Sequence, residues 1–162
     1  MGSPPVRICF VCLGNICRSP TAAAVMAHRA EEAGLADRFR IESAGTSGWH
    51  EGEGPDRRAT EEAREHGVRV THRARRFRPE DFDRFDMILA MDQENLGDLL
   101  ALAPDDETRA KVELLRRYDP SGGVDLAVPD PYYGGVDGFA TTFDLIDAAC
   151  RGLLAHLVAG TG

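Results

Sequence analysis

The sequence predicts one α/β domain over residues 1–162, built as a four-stranded parallel sheet with helices on both faces. Three observations carry this expectation. The stretch VRICFV (Val6 to Val11) is a short, nearly continuous apolar run, the pattern of a strand buried on both faces. Strand-like and helix-like stretches then alternate to the end of the chain. The last of them, GFATTFDLIDAACRGLLAHLV, places Phe139, Phe143, Ile146, Cys150, Leu153 and Leu157 at spacings of three and four, one apolar stripe on a helix.

Between the first and last elements each assignment has a local reason. PTAAAVMAHRAEEAGL follows the first strand: Pro20 suits a first helical turn, the alanines favour helix, and Gly34 is a stop. FRIESAG (Phe39 to Gly45) reads as the second strand, so strand, helix and strand form a right-handed parallel crossover. DRRATEEAREHG (Asp56 to Gly67) reads as a helix ending at glycine. FDMILAM (Phe85 to Met91) reads as a central strand, DQENLGDLLAL as a helix with Asp92 as N-cap, and KVELL (Lys111 to Leu115) as a last short strand. Ligands of such sheets bind beyond the carboxyl ends of the strands. The loop VCLGNICRSP (Val11 to Pro20) lies at that end of the first strand.

Composition narrows the function. Hydrophobic residues are 43% and charged residues 28%, ordinary for a globular domain. A net charge of -8 argues against nonspecific binding to nucleic acid or an anionic membrane. No apolar run reaches the length of a membrane span, and MGSPPVRICF lacks the pattern of a signal peptide. Four cysteines without a disulfide framework fit a reducing compartment, so the expected location is cytoplasmic.

The loop itself holds Cys12, Cys17, Arg18 and Ser19. A metal site is disfavoured: Cys9 and Cys12 should point to opposite faces of a strand, and Cys12 and Cys17 lack the usual ligand spacing. Cys9 and Cys150 read as small buried apolar residues. No dinucleotide or nucleoside-triphosphate loop is present. An anion cradle fits better. A loop between a strand and a helix N-terminus turns several backbone N–H groups toward one point. Gly14 and Asn15 suit the left-handed turns it requires. Arg18 adds a planar fork for two phosphate oxygens. Such a field stabilises a thiolate at Cys12, and Ser19 can donate a hydrogen bond to it. Farther on, VPDPYYGG (Val128 to Gly135) offers Asp130 in a Pro-flanked loop. Alone it would be an ordinary turn; beside a thiolate nucleophile it is a general acid.

Together VCLGNICRSP, SAGTSG, GVRVTHRAR, FDMILAMDQEN and DPYYGG, in that order, resemble the low-molecular-weight protein tyrosine phosphatases over essentially the whole chain. The resemblance implies that family's fold and the hydrolysis of phosphotyrosine monoesters through a cysteinyl-phosphate, without cofactor or metal. It makes Cys12 the nucleophile, Arg18 the phosphate clamp, Asp130 the acid and then the base, and Ser19 an aid to the sulfur. The phosphate-binding loop is Leu13, Gly14, Asn15, Ile16, Cys17 and Arg18. Asn15, Ser43 and His72 would brace it; alone, His72 would read as a surface histidine. Leu13, Trp49, Tyr132 and Tyr133 would wall the slot for a phenyl ring, with Trp49 where the family often has tyrosine. The implied partners are tyrosine-phosphorylated proteins, with inorganic phosphate or other oxyanions as product or inhibitors.

Related chemistries are weighed on single residues. Arsenate reductases of this fold relay oxidation through further cysteines, and no later cysteine pair is present here. Relatives acting on phosphoarginine tend to carry threonine at the position of Ile16. A catalytically dead phosphate binder would lack Cys12, Arg18 or Asp130. Cys17 has two open readings, packing beneath the helix and capture of an oxidised Cys12 as a disulfide. RARRFR (Arg73 to Arg78) reads as a solvated face, or as a docking patch for acidic phosphopeptides.

Overall fold

A computed structural model describes residues 4–131 and 137–160. Four parallel strands form one sheet: β1 (Val6–Cys12), β2 (Phe39–Gly45), β3 (Met87–Ala90) and β4 (Val112–Leu114), in the order β2-β1-β3-β4. β1 is central, pairing Cys12 with Gly45 on one side and Val11 with Ala90 on the other. The chain leaves β1 toward β2 and later returns to β3 on the opposite side. The strand order therefore reverses at β1, and the crevice at its carboxyl end is the place where such sheets bind ligands.

The alternation of β1 side chains builds two cores. Ile8, Phe10 and Cys12 face one, Cys9 and Val11 the other. The first is closed by α1 (Arg18–Glu32) through Ala22, Val25 and Met26, and by α6 (Gly138–Gly160) through Phe143, Ile146, Cys150 and Leu153. The second is closed by α3 (Asp81–Arg84) and α4 (Gln93–Leu102) through Phe82 and Leu99. Both faces are covered, as the apolar run at β1 requires. The predicted stripe on α6 is buried at Phe139, Phe143, Ile146, Cys150 and Leu153, with Leu157 packed against the core.

Two predicted strands are shorter than expected. Phe85 and Met91 are buried but lie outside β3, and Lys111 and Leu115 flank β4. Apolar character marks burial, whereas the strand ends where ladder pairing stops. α2 (Arg57–Glu65) begins at Asp56, whose carboxylate accepts from the Arg58 and Ala59 N–H groups. α3 and α5 (Asp106–Arg109) have no counterpart in the sequence reading, since four residues are too few for a helical period.

RARRFR is not a plain solvated face. Ala74 and Phe77 are buried, and the segment joins the edge of β2 through Gly45 N–H to Arg75 O and Phe77 N–H to Gly45 O. Arg75 pairs with buried Asp81 at 3.0 Å. Cys9, Cys12, Cys17 and Cys150 are all free thiols. No helix of the described residues is long and apolar enough to cross a membrane.

Candidate active site

The loop from Cys12 to Cys17 is shaped by what its carbonyls do. Cys12 O accepts from Thr46 N–H and Leu13 O from Ser47 N–H. Asn15 O accepts from His72 Nε2 at 2.8 Å, and Ile16 O from Asp56 N–H. With these carbonyls bound on the outside, the loop amides turn inward. Asn15 N–H and Ser19 N–H both point at Cys12 Sγ, at 3.3 and 3.5 Å. The Ser19 hydroxyl lies 2.9 Å from the same sulfur. A buried anion at this point has several donors, although the Ser19 hydroxyl also reaches the Ala44 carbonyl at 3.3 Å.

Asn15 alone among non-glycine residues described has positive φ, at 57°. Gly14 does not, contrary to the expectation from sequence; its missing side chain has a steric use instead. A Cβ there would meet His50 Cδ2 at 3.0 Å. Gly45 is needed for the same kind of reason, because a Cβ would lie 2.8 Å from Leu13 O.

The left-handed Asn15 is held by its side chain. Nδ2 donates to Ser19 Oγ at 2.8 Å and to Ser43 Oγ at 3.0 Å, while Oδ1 accepts from Arg75 N–H at 2.9 Å. His72 closes the network. A carbonyl only accepts, so Nε2 carries the proton toward Asn15 O, and Nδ1 takes the Ser43 hydroxyl across 3.5 Å. Burial holds His72 below its ordinary value of 6.5; the Asn15 carbonyl opposes this and Arg75 adds to it. A lowered histidine favours the neutral form in the folded state. Its contribution to stability is complete above pH 6.5 and is lost as the pH falls below that value. Urea midpoints measured on either side of pH 6.5 should show this loss, and His72→Asn should remove that component.

Arg18 is 3% exposed. Its Nη1 donates to Asp92 Oδ2 at 2.7 Å and to Val128 O at 3.0 Å, and its Nη2 lies 3.8 Å from Asp130 Oδ2. Burial works against the guanidinium charge, but Cys12, Asp92 and Asp130 more than offset it and hold the group charged. Asp130 is carried over the loop by two anchors: Val128 N–H donates to Met91 O, and Thr142 Oγ1 donates to Pro129 O. Cys17 sits against Ala59 and Phe139 with Ile16 beside it. Burial, then Asp56, Cys12 and Asp130, push its thiol up to about 12.

These residues enclose a pocket of about 260 Å³. Its floor is Cys12 and the loop residues Leu13, Gly14, Ile16, Cys17 and Arg18, and its walls are Ser47, Trp49, His50 and Asp130. Trp49 stands 82% exposed at the rim. The structure thus gathers Cys12 to Ser19, Trp49 and Asp130, with Ser43 and His72 behind the loop. Tyr132 and Tyr133 lie outside the described residues. No local pattern singles out His50 or Ser47, and Asp92 has the pattern of a helix cap alone. It does cap α4, accepting from Asn95 N–H at 2.8 Å, but its other oxygen holds Arg18.

The two duties of Asp92 can be separated. Asp92→Ala should cost about 0.5–2 kcal/mol through the lost cap. Asp92→Ser can still cap but cannot pair with Arg18. It should keep most of the stability and still lower kcat by roughly 10²-fold, the usual cost of a displaced catalytic group. Thermal midpoints and steady-state kinetics of both variants decide it; unchanged kcat in the serine variant reduces Asp92 to a cap.

Known proteins are similar to this chain in sequence and in fold. A family model described as low molecular weight phosphotyrosine protein phosphatase matches residues 7–160. The low molecular weight protein-tyrosine-phosphatase of Streptomyces coelicolor is 52% identical over 150 residues, 92% of this chain and 92% of that one. The human low molecular weight phosphotyrosine protein phosphatase is 42% identical over 148 residues, 91% of this chain and 92% of that one. The crystal structure of a protein tyrosine phosphatase from Entamoeba histolytica, with Hepes in its active site, superposes with a TM-score of 0.91 at 37% identity, over 96% of this chain and 98% of that one. With its Cys-x5-Arg-Ser loop at the end of β1 and a match of this extent, the chain belongs to the low molecular weight phosphotyrosine protein phosphatase family.

Proposed function

We propose that the protein hydrolyses phosphotyrosine monoesters in proteins through a cysteinyl-phosphate at Cys12. The observation that carries this reading is the convergence of the loop N–H groups and Ser19 on Cys12 Sγ, with Arg18 and Asp130 at the same pocket. The Cys12 thiolate attacks phosphorus and forms the S–P bond. The P–O bond to the tyrosyl oxygen breaks, and Asp130 supplies the proton that this oxygen takes up. Water then attacks phosphorus and gives a proton to the Asp130 carboxylate; the new O–P bond forms as the S–P bond breaks, which releases inorganic phosphate and restores the Cys12 thiolate. The inward N–H groups and Arg18 stabilise the charge on the equatorial oxygens in both steps. Ser19 donates to the sulfur when it is attacking or leaving.

The ring specificity rests on Leu13, Ile16 and exposed Trp49 along the pocket, with Tyr132 and Tyr133 assigned to the same wall from the sequence. Isoleucine at position 16 supports an aryl ester over phosphoarginine. Four free cysteines also support the reducing cytoplasm as the working compartment. The test compares one peptide carrying phosphotyrosine, phosphoserine or phosphoarginine, with rapid-quench mass spectrometry of the loop peptide. Preferential release from phosphotyrosine with phosphate trapped on Cys12 is expected. Turnover without a Cys12 adduct, or a preference for phosphoarginine, overturns the assignment.

Cys17 carries a separate expectation. Packed and pushed up to about 12, it is held as a thiol while Cys12 reacts, yet both line one pocket. After a peroxide pulse, dithiothreitol should restore activity to the wild-type protein more fully than to Cys17→Ala. Mass spectrometry should find a Cys12–Cys17 crosslink in the inactive wild type. Equal recovery without a crosslink leaves Cys17 a packing residue.

A further inference from the structure

A second cavity, of about 360 Å³, lies on the side of His72 away from the catalytic pocket. The chain builds it from three elements. The α1 residues Ala23, Ala24 and Ala27 fall at helical spacing on one face, and with Ile41 of β2 they make an apolar floor. Arg69, Thr71 and His72, from the segment after α2, form the opposite wall. His28 and Glu31 of α1 complete the lining. Among these lining groups Glu31 is the one carboxylate and Arg69 the one guanidinium; the His28 ring lies 3.5 Å from the Glu32 carboxylate, and the His72 ring faces the loop. Arg69 is exposed and makes no ion pair among the described residues. The volume falls within the range of about 300–1,000 Å³ usual for small-molecule sites.

We propose that this cavity binds a small carboxylate with an apolar body, and that its occupant acts on the catalytic loop through His72. The apolar body lies on the alanines and Ile41; the carboxylate takes the Arg69 guanidinium, with the Thr71 hydroxyl beside it. His72 forms the wall between cavity and loop. The groups around it are Arg69, Thr71 and Arg75 on its own segment, His28 and Glu31 on α1, Ser43 on β2 and Asn15 in the loop. Burial favours the neutral ring, which donates Nε2–H to Asn15 O. An anion in the cavity favours the imidazolium. That bond then becomes charge-assisted, roughly twice as strong as a neutral one. Nδ1 becomes a donor and the Ser43 hydroxyl turns to accept from it. The bond holds the residue whose left-handed conformation sets the cradle, so carboxylate in the cavity tightens oxyanion binding at Cys12. By linkage the reverse also holds.

The experiment titrates benzoate into the full chain, with and without orthovanadate in the cradle, and follows NMR shifts of the Arg69 and Thr71 amides and the His72 ring. Saturable shifts at these three residues are expected in both conditions. Arg69→Ala should weaken binding about tenfold, the worth of a charged hydrogen bond. Ala27→Leu, an exposed helix position that fits leucine without disturbing the core, should abolish it. Benzylamine should produce no shifts. Saturating benzoate should lower the orthovanadate dissociation constant about fivefold, the lower end of common couplings. Shifts confined to the loop of Cys12 that vanish with orthovanadate, or benzoate binding untouched by Ala27→Leu, overturn the site. An unchanged orthovanadate affinity overturns the coupling through His72. The proposal uses the phosphatase reading only for its cradle ligand. If orthovanadate fails to bind, that reading fails, and the titration without it still tests the cavity.

Discussion

Arg18→Lys is expected to lower kcat on aryl phosphates by roughly 10³–10⁵-fold, the range that separates phosphoryl transfer with and without a positioned arginine. The reason is geometric. Nη1 is committed to Asp92 and the Val128 carbonyl, which leaves the other guanidinium nitrogens to face the pocket. A lysine ammonium has one nitrogen for both tasks. Attracted to Asp92 and to Val128 O, it is drawn off the phosphate; turned to the phosphate, it leaves Asp92 without its partner. The side chain is 4% exposed, so the surrounding protein, not bulk solvent, sets its contacts. Oxyanion affinity should fall along with kcat if Arg18 clamps bound phosphate as well as the transition state, as proposed. Steady-state kinetics with phosphate inhibition constants, on a variant whose thermal midpoint is checked, measure this. Near wild-type kcat would assign the whole electrostatic task to the loop amides.

Asp130→Ala is expected to lower kcat by roughly 10²–10⁴-fold on esters with poor leaving groups, the usual worth of a general acid and base. The penalty should shrink with p-nitrophenyl phosphate, whose leaving group needs little protonation in the first step. KM should not rise. The carboxylate faces Arg18 at 3.8 Å, so its removal takes away a negative charge that competes with phosphate for the guanidinium. This split, a lower kcat without weaker binding, distinguishes an acid–base group from a structural one. Asp130→Asn should behave as the alanine variant does, since it keeps the shape and loses the proton. Equal penalties across leaving groups would remove Asp130 from the protonation step.

How much of this was legible before the fold was known depends on distance along the chain. The elements were legible because each carries a local period: the apolar run of β1, the alanines of α1, the three-and-four stripe of α6. The cradle was legible because Cys12 to Ser19 is contiguous, and a strand-to-helix loop turns its amides inward wherever it sits. What the local pattern could not give was the set of partners. Arg18 meets Asp92 and Val128 across 74 and 110 residues, and Asn15 meets Ser43, His72 and Arg75 across 28, 57 and 60. Ser43 and His72 entered only by resemblance to a family, and Asp92 entered as a cap because its second contact leaves no local trace.

The sequence by itself therefore determined the order of the four strands and of the longer helices between them, the two-faced burial of β1 and the residues gathered within one loop. The tertiary structure decided which side chains meet at that loop. It gave Asp92 its second duty and set His50 over Gly14. It drew RARRFR onto the edge of β2 instead of into solvent, and it opened a cavity behind His72. The physical reason is that propensity and periodicity act between neighbours in the chain. Four parallel strands, by contrast, end at one edge of a sheet, and whatever follows each of them is brought together there irrespective of its place in the sequence.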